Sequence, residues 1–135
     1  MMLTRMIDEN TEQVIIVAEA QNGRSTAASL ELSHRILPTG EAAARIGGEL
    51  DVATAEMAVR YVTRVIDGHP GPVIVDLNAL SFCDARGLSA LLRMASYAER
   101  TNHPFRLASP SAMLVKLLRI GKLERLMSPS LGGTG

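Results

Sequence analysis

The chain has 135 residues, nearly half of them hydrophobic, and its 14 basic residues are balanced by 14 acidic ones. That length suits one domain around a single core, and the zero net charge argues against broad electrostatic binding to nucleic acid, since there is neither a Lys/Arg run nor an aromatic stacking platform. One cysteine, Cys83, rules out an internal disulfide and any cysteine-rich metal site, and no window is apolar enough to span a bilayer, so a cytoplasmic location is expected.

With no Trp, two Tyr and two Phe, the core has to be built from Leu, Ile, Val, Ala and Met. Residues 1–28 read as an N-terminal extension. Within it Val14-Ile15-Ile16-Val17 has strand propensity and suits an edge strand. Its flanks, Asp8-Glu9-Asn10 and Gln21 to Ser25, read as loop or mobile tail.

Leu30 to Leu37 alternates apolar and polar, which predicts a strand. Pro38-Thr39-Gly40 is a turn signal, and Glu41 to Leu50 supplies the second strand of a hairpin. Gly47-Gly48 near its end predicts a bulge or a close backbone approach. Asp51 is expected to begin or cap a helix, because Val52, Ala55, Val59, Val62 and Ile66 form one apolar stripe. That helix ends near Asp67-Gly68, and His69-Pro70-Gly71-Pro72 forbids its continuation.

Val73 to Leu77 reads as a central strand, apolar apart from Asp76. Asn78 to Cys83 reads as a loop. A helix then starts at Asp84 or the residue after it, with Leu88, Leu91, Leu92, Ala95 and Ala98 inward. Phe105 to Ala108 is a short strand. Ser109-Pro110-Ser111 signals a further helix carrying Met113, Leu114, Leu117, Leu118 and Ile120. Gly121 interrupts it, and residues 128–135 read as a disordered Gly/Ser-rich tail. The predicted fold is α/β: a mixed β-sheet of four or five strands packed by three or four helices, in the order β-β-α-β-α-β-α.

A strand running through a loop into a helix presents free N–H groups at the sheet edge, where anions and partner proteins bind. Three stretches give that place a family resemblance. Gly48-Glu49-Leu50-Asp51 with Thr54-Ala55 is similar to a GELD…TA segment. Val73 to Leu77 followed by Leu80-Ser81-Phe82-Cys83-Asp84-Ala85-Arg86-Gly87-Leu88 resembles a strand, loop and D-S-[ST]-G-L motif. Leu114 to Leu126 resembles a C-terminal helix pattern ending near Thr-Gly-Leu, which here reads Ile120-Gly121-Lys122-Leu123. In this order they resemble the STAS domain, and within it the bacterial anti-sigma factor antagonists, over about residues 29–127.

The resemblance implies a non-enzymatic binding switch without a cofactor. Such proteins bind an anti-sigma factor, often also a Ser/Thr kinase, and so regulate sigma-factor-dependent transcription. The kinase phosphorylates the Ser or Thr two residues after the motif Asp, and the added charge breaks the complex. The positions carried over are Asp51, Asp84, Arg86, Gly87, Leu88 and Ser89. Asp84 and Gly87 keep the motif, but the acceptor position is Arg86 and the residue before it is Ala85. Neither has a hydroxyl, so the usual switch is expected to be altered, with Ser89 and Ser81 as the alternative acceptors. A homodimer is compatible with the family. The same domain also implies a second role, as an accessory subunit of a lipid-transport or stress-sensing assembly.

Enzymatic alternatives have less behind them. Cys83, close to a helix N-terminus, is a candidate redox thiol. Its histidine partners would be His34, His69 or His103. The last two sit in Pro-containing turns expected at strand starts, away from Cys83, and the three lack metal-ligand spacing. Gly47-Gly48-Glu49-Leu50 has only a superficial likeness to the GGEF-type motif of cyclic-dinucleotide synthases. Nucleotide-binding and nucleophile-elbow motifs are lacking.

Overall fold

The computed structural model describes the backbone of residues 2–8, 11–19 and 27–127, and the side chains of 29–127. The strands are β1 (Met2–Asp8), β2 (Thr11–Glu19), β3 (Ala27–Ile36), β4 (Ala42–Leu50), β5 (Val73–Asp76), β6 (Leu80–Cys83) and β7 (Phe105–Ala108). The helices are α1 (Ala55–Asp67), α2 (Ala85–Arg100) and α3 (Ala112–Ile120), followed by a 3-10 turn at Glu124–Met127. From β3 onward the architecture is the expected mixed sheet: five strands and three helices. The expected tail over 128–135 and the expected loops at 9–10 and 21–25 lie outside the described residues.

One sheet runs in the order β1-β2-β3-β4-β5-β7, with β6 paired to the far end of β4. The β1–β4 neighbours are antiparallel, whereas β4–β5, β5–β7 and β4–β6 are parallel. Val14 to Val17 do form strand, but inside the sheet, because β1 takes the edge beyond them.

The stretch read as a loop from Asn78 to Cys83 instead contains β6. Strand β5 pairs β4 only along Ala42 to Arg45, which leaves the backbone groups of Gly48 to Leu50 open on that side. Leu80, Phe82 and Cys83 close them. A four-residue segment with only Leu80 fully turned inward carries little alternation, so its strand character comes from this vacancy in the ladder. The close approach expected at Gly47-Gly48 is present: Gly48 has φ +88, and a β-carbon there would stand 2.3 Å from the carbonyl oxygen of Ser29.

The core lies on the face of the sheet that carries Leu30, Leu32, Ala42, Ala44, Ile46, Val73, Val75 and Leu107, and α1 and α2 pack over it. A fully buried Leu, Ile or Val contributes about 1.5–3 kcal/mol relative to exposure, so this aliphatic layer compensates for the scarcity of aromatics. Between the helices, Arg93 reaches Glu56 through both terminal guanidinium nitrogens, at 3.0 and 3.4 Å. Arg93 holds the Glu56 carboxyl below its usual range. Farther along, Tyr97 donates its phenol hydrogen to Asp67.

Two parts of the expected apolar pattern do not face the core. Val52 stands 67% exposed, because α1 starts only at Ala55 and residues 51–54 form a turn. The spacing from Val52 to Ala55 looks helical but spans that turn. In α3 only Leu114 and Leu118 are buried, while Met113 and Ile120, seven residues apart and so on one side of the helix, point outward.

Candidate functional site

The end of β4, β6 and the start of α2 meet at one point. Leu50 is fully buried, pairs with Cys83, and accepts a long 3.4 Å hydrogen bond from the Asp84 N–H. Gly87, the third residue of α2, packs onto the same Leu50 carbonyl. A β-carbon there would lie 2.3 Å from that oxygen and 2.8 Å from the Cys83 sulfur. Only glycine lets the helix come this close, so Gly87 is a buried packing element at the base of the site.

Asp84 is the N-cap of α2. It is extended, with φ −105 and ψ −166, and its Oδ1 accepts from the Gly87 N–H at 3.0 Å. This satisfies one of the free donors of the first turn. Arg86 projects from that turn into solvent. No acidic residue shares the turn, and no ion pair or hydrogen bond reaches Arg86 among the described residues. A cation here opposes the helix dipole by about 0.3–1 kcal/mol, whereas the Asp84 carboxylate at the N-cap favours it. Ser89 and Ser81 are both exposed, and Ser81 donates its hydroxyl to the Gly48 carbonyl at 3.0 Å. Leu88 is half-buried against the core.

Asp51 does not cap α1 as expected; the N-cap is Thr54. The Asp51 carboxylate turns back to accept from the Ala53 N–H at 2.9 Å. Thr54 is fully buried, and its hydroxyl donates to the Glu49 carbonyl at 2.7 Å while accepting from the Asp51 N–H at 3.0 Å. The turn from β4 into α1 is therefore tied by the hydroxyl three residues after Asp51. The sequence places Thr54 beside Asp51, but an acidic residue before an apolar stripe is the stronger helix-start signal and takes precedence.

Cys83 is partly buried, and its S–H lies 3.6 Å from the Asp84 carbonyl. Burial, reinforced by the neighbouring Asp84 charge, pushes its pKa up to about 11. It is a neutral thiol at physiological pH, the opposite of what a redox-sensing thiolate requires. No hydrogen bond joins it to a histidine among the described residues. His69 lies within 2.7 Å of the Gly40 carbonyl, before β4 begins, whereas Cys83 pairs at its other end. His103 reaches the His69 carbonyl, and His34 lies 2.6 Å from the Tyr61 hydroxyl. No cluster of metal-ligating side chains exists among the described residues, and no helix there is long and apolar enough to cross a membrane.

The structure thus gathers Cys83, Asp84 and Gly87 around Leu50, with Asp51 one residue on and Arg86 exposed beside Gly87 in the first turn of α2. Two exposed apolar side chains lie close by in the chain: Val52, in the turn after β4, and Phe82, 50% exposed on β6. The available signal was an aromatic residue in what read as a loop.

The fold is that of several solved proteins. The anti-sigma factor antagonist SpoIIAA in its unphosphorylated form superposes with a TM-score of 0.61 at 21% identity, covering 72% of this chain and 85% of that one; SpoIIAA is a Bacillus cell-fate determinant. An anti-sigma factor antagonist from Mycobacterium paratuberculosis gives 0.56 at 19% identity, covering 87% of each chain. A sulfate transporter family protein from Wolinella succinogenes gives 0.56 at 22%, covering 66% of this chain and 72% of its own. No curated protein matches at the level of sequence. The STAS domain family model matches residues 37–132, and by that match the chain belongs to the STAS domain family.

Proposed function

We propose that the protein is an anti-sigma factor antagonist: a cytoplasmic, non-enzymatic binding protein. It engages an anti-sigma factor of the serine-kinase type through the start of α2, and so regulates sigma-factor-dependent transcription. Asp51, Asp84, Arg86, Leu88 and Ser89 belong to the docking region, with Gly87 beneath it. The observation that supports this most is the capped start of α2, open to solvent beside the exposed turn after β4. Cys83 receives no redox role. Because position 86 is an arginine, phosphorylation there is replaced as the means of release.

The test is direct binding of purified kinase-type anti-sigma factors from the same organism, followed by incubation with ATP and mass spectrometry. A complex without phosphate on residues 84–88 is expected, and Arg86→Ser should restore an acceptor. Phosphate on wild-type Ser89 or Ser81 with dissociation would show that the switch has moved to that serine. Failure of a folded sample to bind any such factor would reject the proposal. The likeness to a sulfate transporter family protein favours a second reading, an accessory subunit of a transport assembly, which capture by a transporter component would support.

A further inference from the structure

We infer that the outward face of α3 rests on an anionic membrane surface: Met113 and Ile120 enter the headgroup layer, and Lys116 and Arg119 meet the lipid phosphates. This second surface uses no residue from the start of α2 and stands independently of the docking proposed there.

Five large apolar side chains stand exposed among the described residues, and two of them, Met113 at 67% and Ile120 at 78%, lie on this one helix of 9 residues. Helical geometry places them together. At about 100° per residue, Ile120 lies within about 20° of Met113 around the axis, and Lys116 within about 60° of both. Leu117, half-buried, continues the apolar side. Leu114 and Leu118 fix the opposite side in the core, so the exposed Lys116 stands at the crest of the helix, away from the body of the protein.

The charge around this face sets it apart from the other exposed surfaces. From residue 100 to residue 123 the chain carries five Lys or Arg and no Asp or Glu, the longest acid-free stretch in a sequence whose acidic and basic residues balance. Glu124 is the first carboxylate after it and is followed by Arg125. A basic helix with an apolar side lies in the plane of an anionic bilayer surface, where each cation near the surface adds to the attraction. A protein groove that covered Met113 and Ile120 would also have to desolvate the Lys116 ammonium, set between them along the axis. At a headgroup layer the Lys116 stem lies along the acyl boundary while its ammonium stays among phosphates and water. A nucleic acid fits less well, because its phosphate backbone leaves the two apolar side chains without a counterpart.

The test is sedimentation of the full chain with vesicles of about equal parts phosphatidylglycerol and phosphatidylcholine, compared with vesicles of phosphatidylcholine alone. Binding to the first and not to the second is expected, weakening as salt rises. Lys116→Gln should lower the affinity about fivefold and Ile120→Ser about tenfold, with circular dichroism confirming the fold of each variant. The chain lacks tryptophan, so Ile120→Trp places a single reporter in the face, and its emission should shift to the blue on the anionic vesicles. Val52→Trp, at an exposed position outside α3, should not shift. Failure of the folded chain to sediment with the anionic vesicles would overturn the inference, as would equal binding to both vesicles, or binding with the Ile120→Trp emission unshifted. A weakened complex of Ile120→Ser with a kinase-type anti-sigma factor, in a chain that binds neither vesicle, would assign the face to a protein partner and overturn it as well.

Discussion

Gly87 and Leu50 meet so closely that a β-carbon on Gly87 would stand 2.3 Å from the Leu50 carbonyl oxygen. This contact fixes where α2 begins relative to the end of β4, and hence where Arg86 and Val52 emerge. Gly87→Ala must push the helix start away from the strand or displace Cys83. A loss of about 1–3 kcal/mol is expected, read as a lower midpoint in urea denaturation. An unchanged midpoint would mean that strand and helix separate without cost.

Thr54 is the corresponding tie on the other side of the turn. Thr54→Val keeps the shape but leaves the Asp51 N–H and the Glu49 carbonyl without their shared hydroxyl. Burying unsatisfied groups costs about 1–3 kcal/mol, so a clear drop in stability is expected. Thr54→Ser should recover most of it. Equal stability of the Val and Ser variants would contradict the hydroxyl's role.

Asp84 holds the first turn of α2 through the Gly87 N–H. Asp84→Ala should cost about 1 kcal/mol and should speed hydrogen exchange at the Gly87 amide. Asp84→Asn retains an acceptor oxygen and should lose less. Unaltered exchange in Asp84→Ala would show that the amide is protected by packing alone.

Cys83 gives the fold a dependence on alkaline pH. An unfolded thiol titrates near 9.0, the folded one at about 11. Between these values the unfolded chain releases the proton first, so the unfolded state gains. Stability is therefore fully present below the lower value and declines as pH rises through the upper one. Cys83→Ala should lack this part of the decline. Native Cys83 should also alkylate far more slowly at pH 7.5 than the urea-unfolded chain; equal rates would rule out the protected thiol.

The sequence by itself determined the periodic elements. The hairpin around Pro38-Thr39-Gly40, the stripe from Ala55 to Ile66, the strand at Val73 and the helix after Asp84 follow from spacing and punctuation that local physics reads directly. Asp84 as a cap was legible too, because an acidic residue just before a helix needs only the N–H three residues on. What only the tertiary structure decided depends on partners distant in the chain. Leu80 to Cys83 are strand because β5 leaves part of β4 unpaired. Thr54, not Asp51, stands at the N-cap of α1, with its hydroxyl tied to the carbonyl of Glu49 rather than to a helix N–H. Val52, Met113 and Ile120 match an apolar pattern yet lie outside the core, since hydrophobicity sets a tendency to be buried and only the packed sheet decides which faces have something to pack against. The motif glycine is required for the same reason: the atom it must avoid, the carbonyl oxygen of Leu50, belongs to a strand that only folding brings beside it.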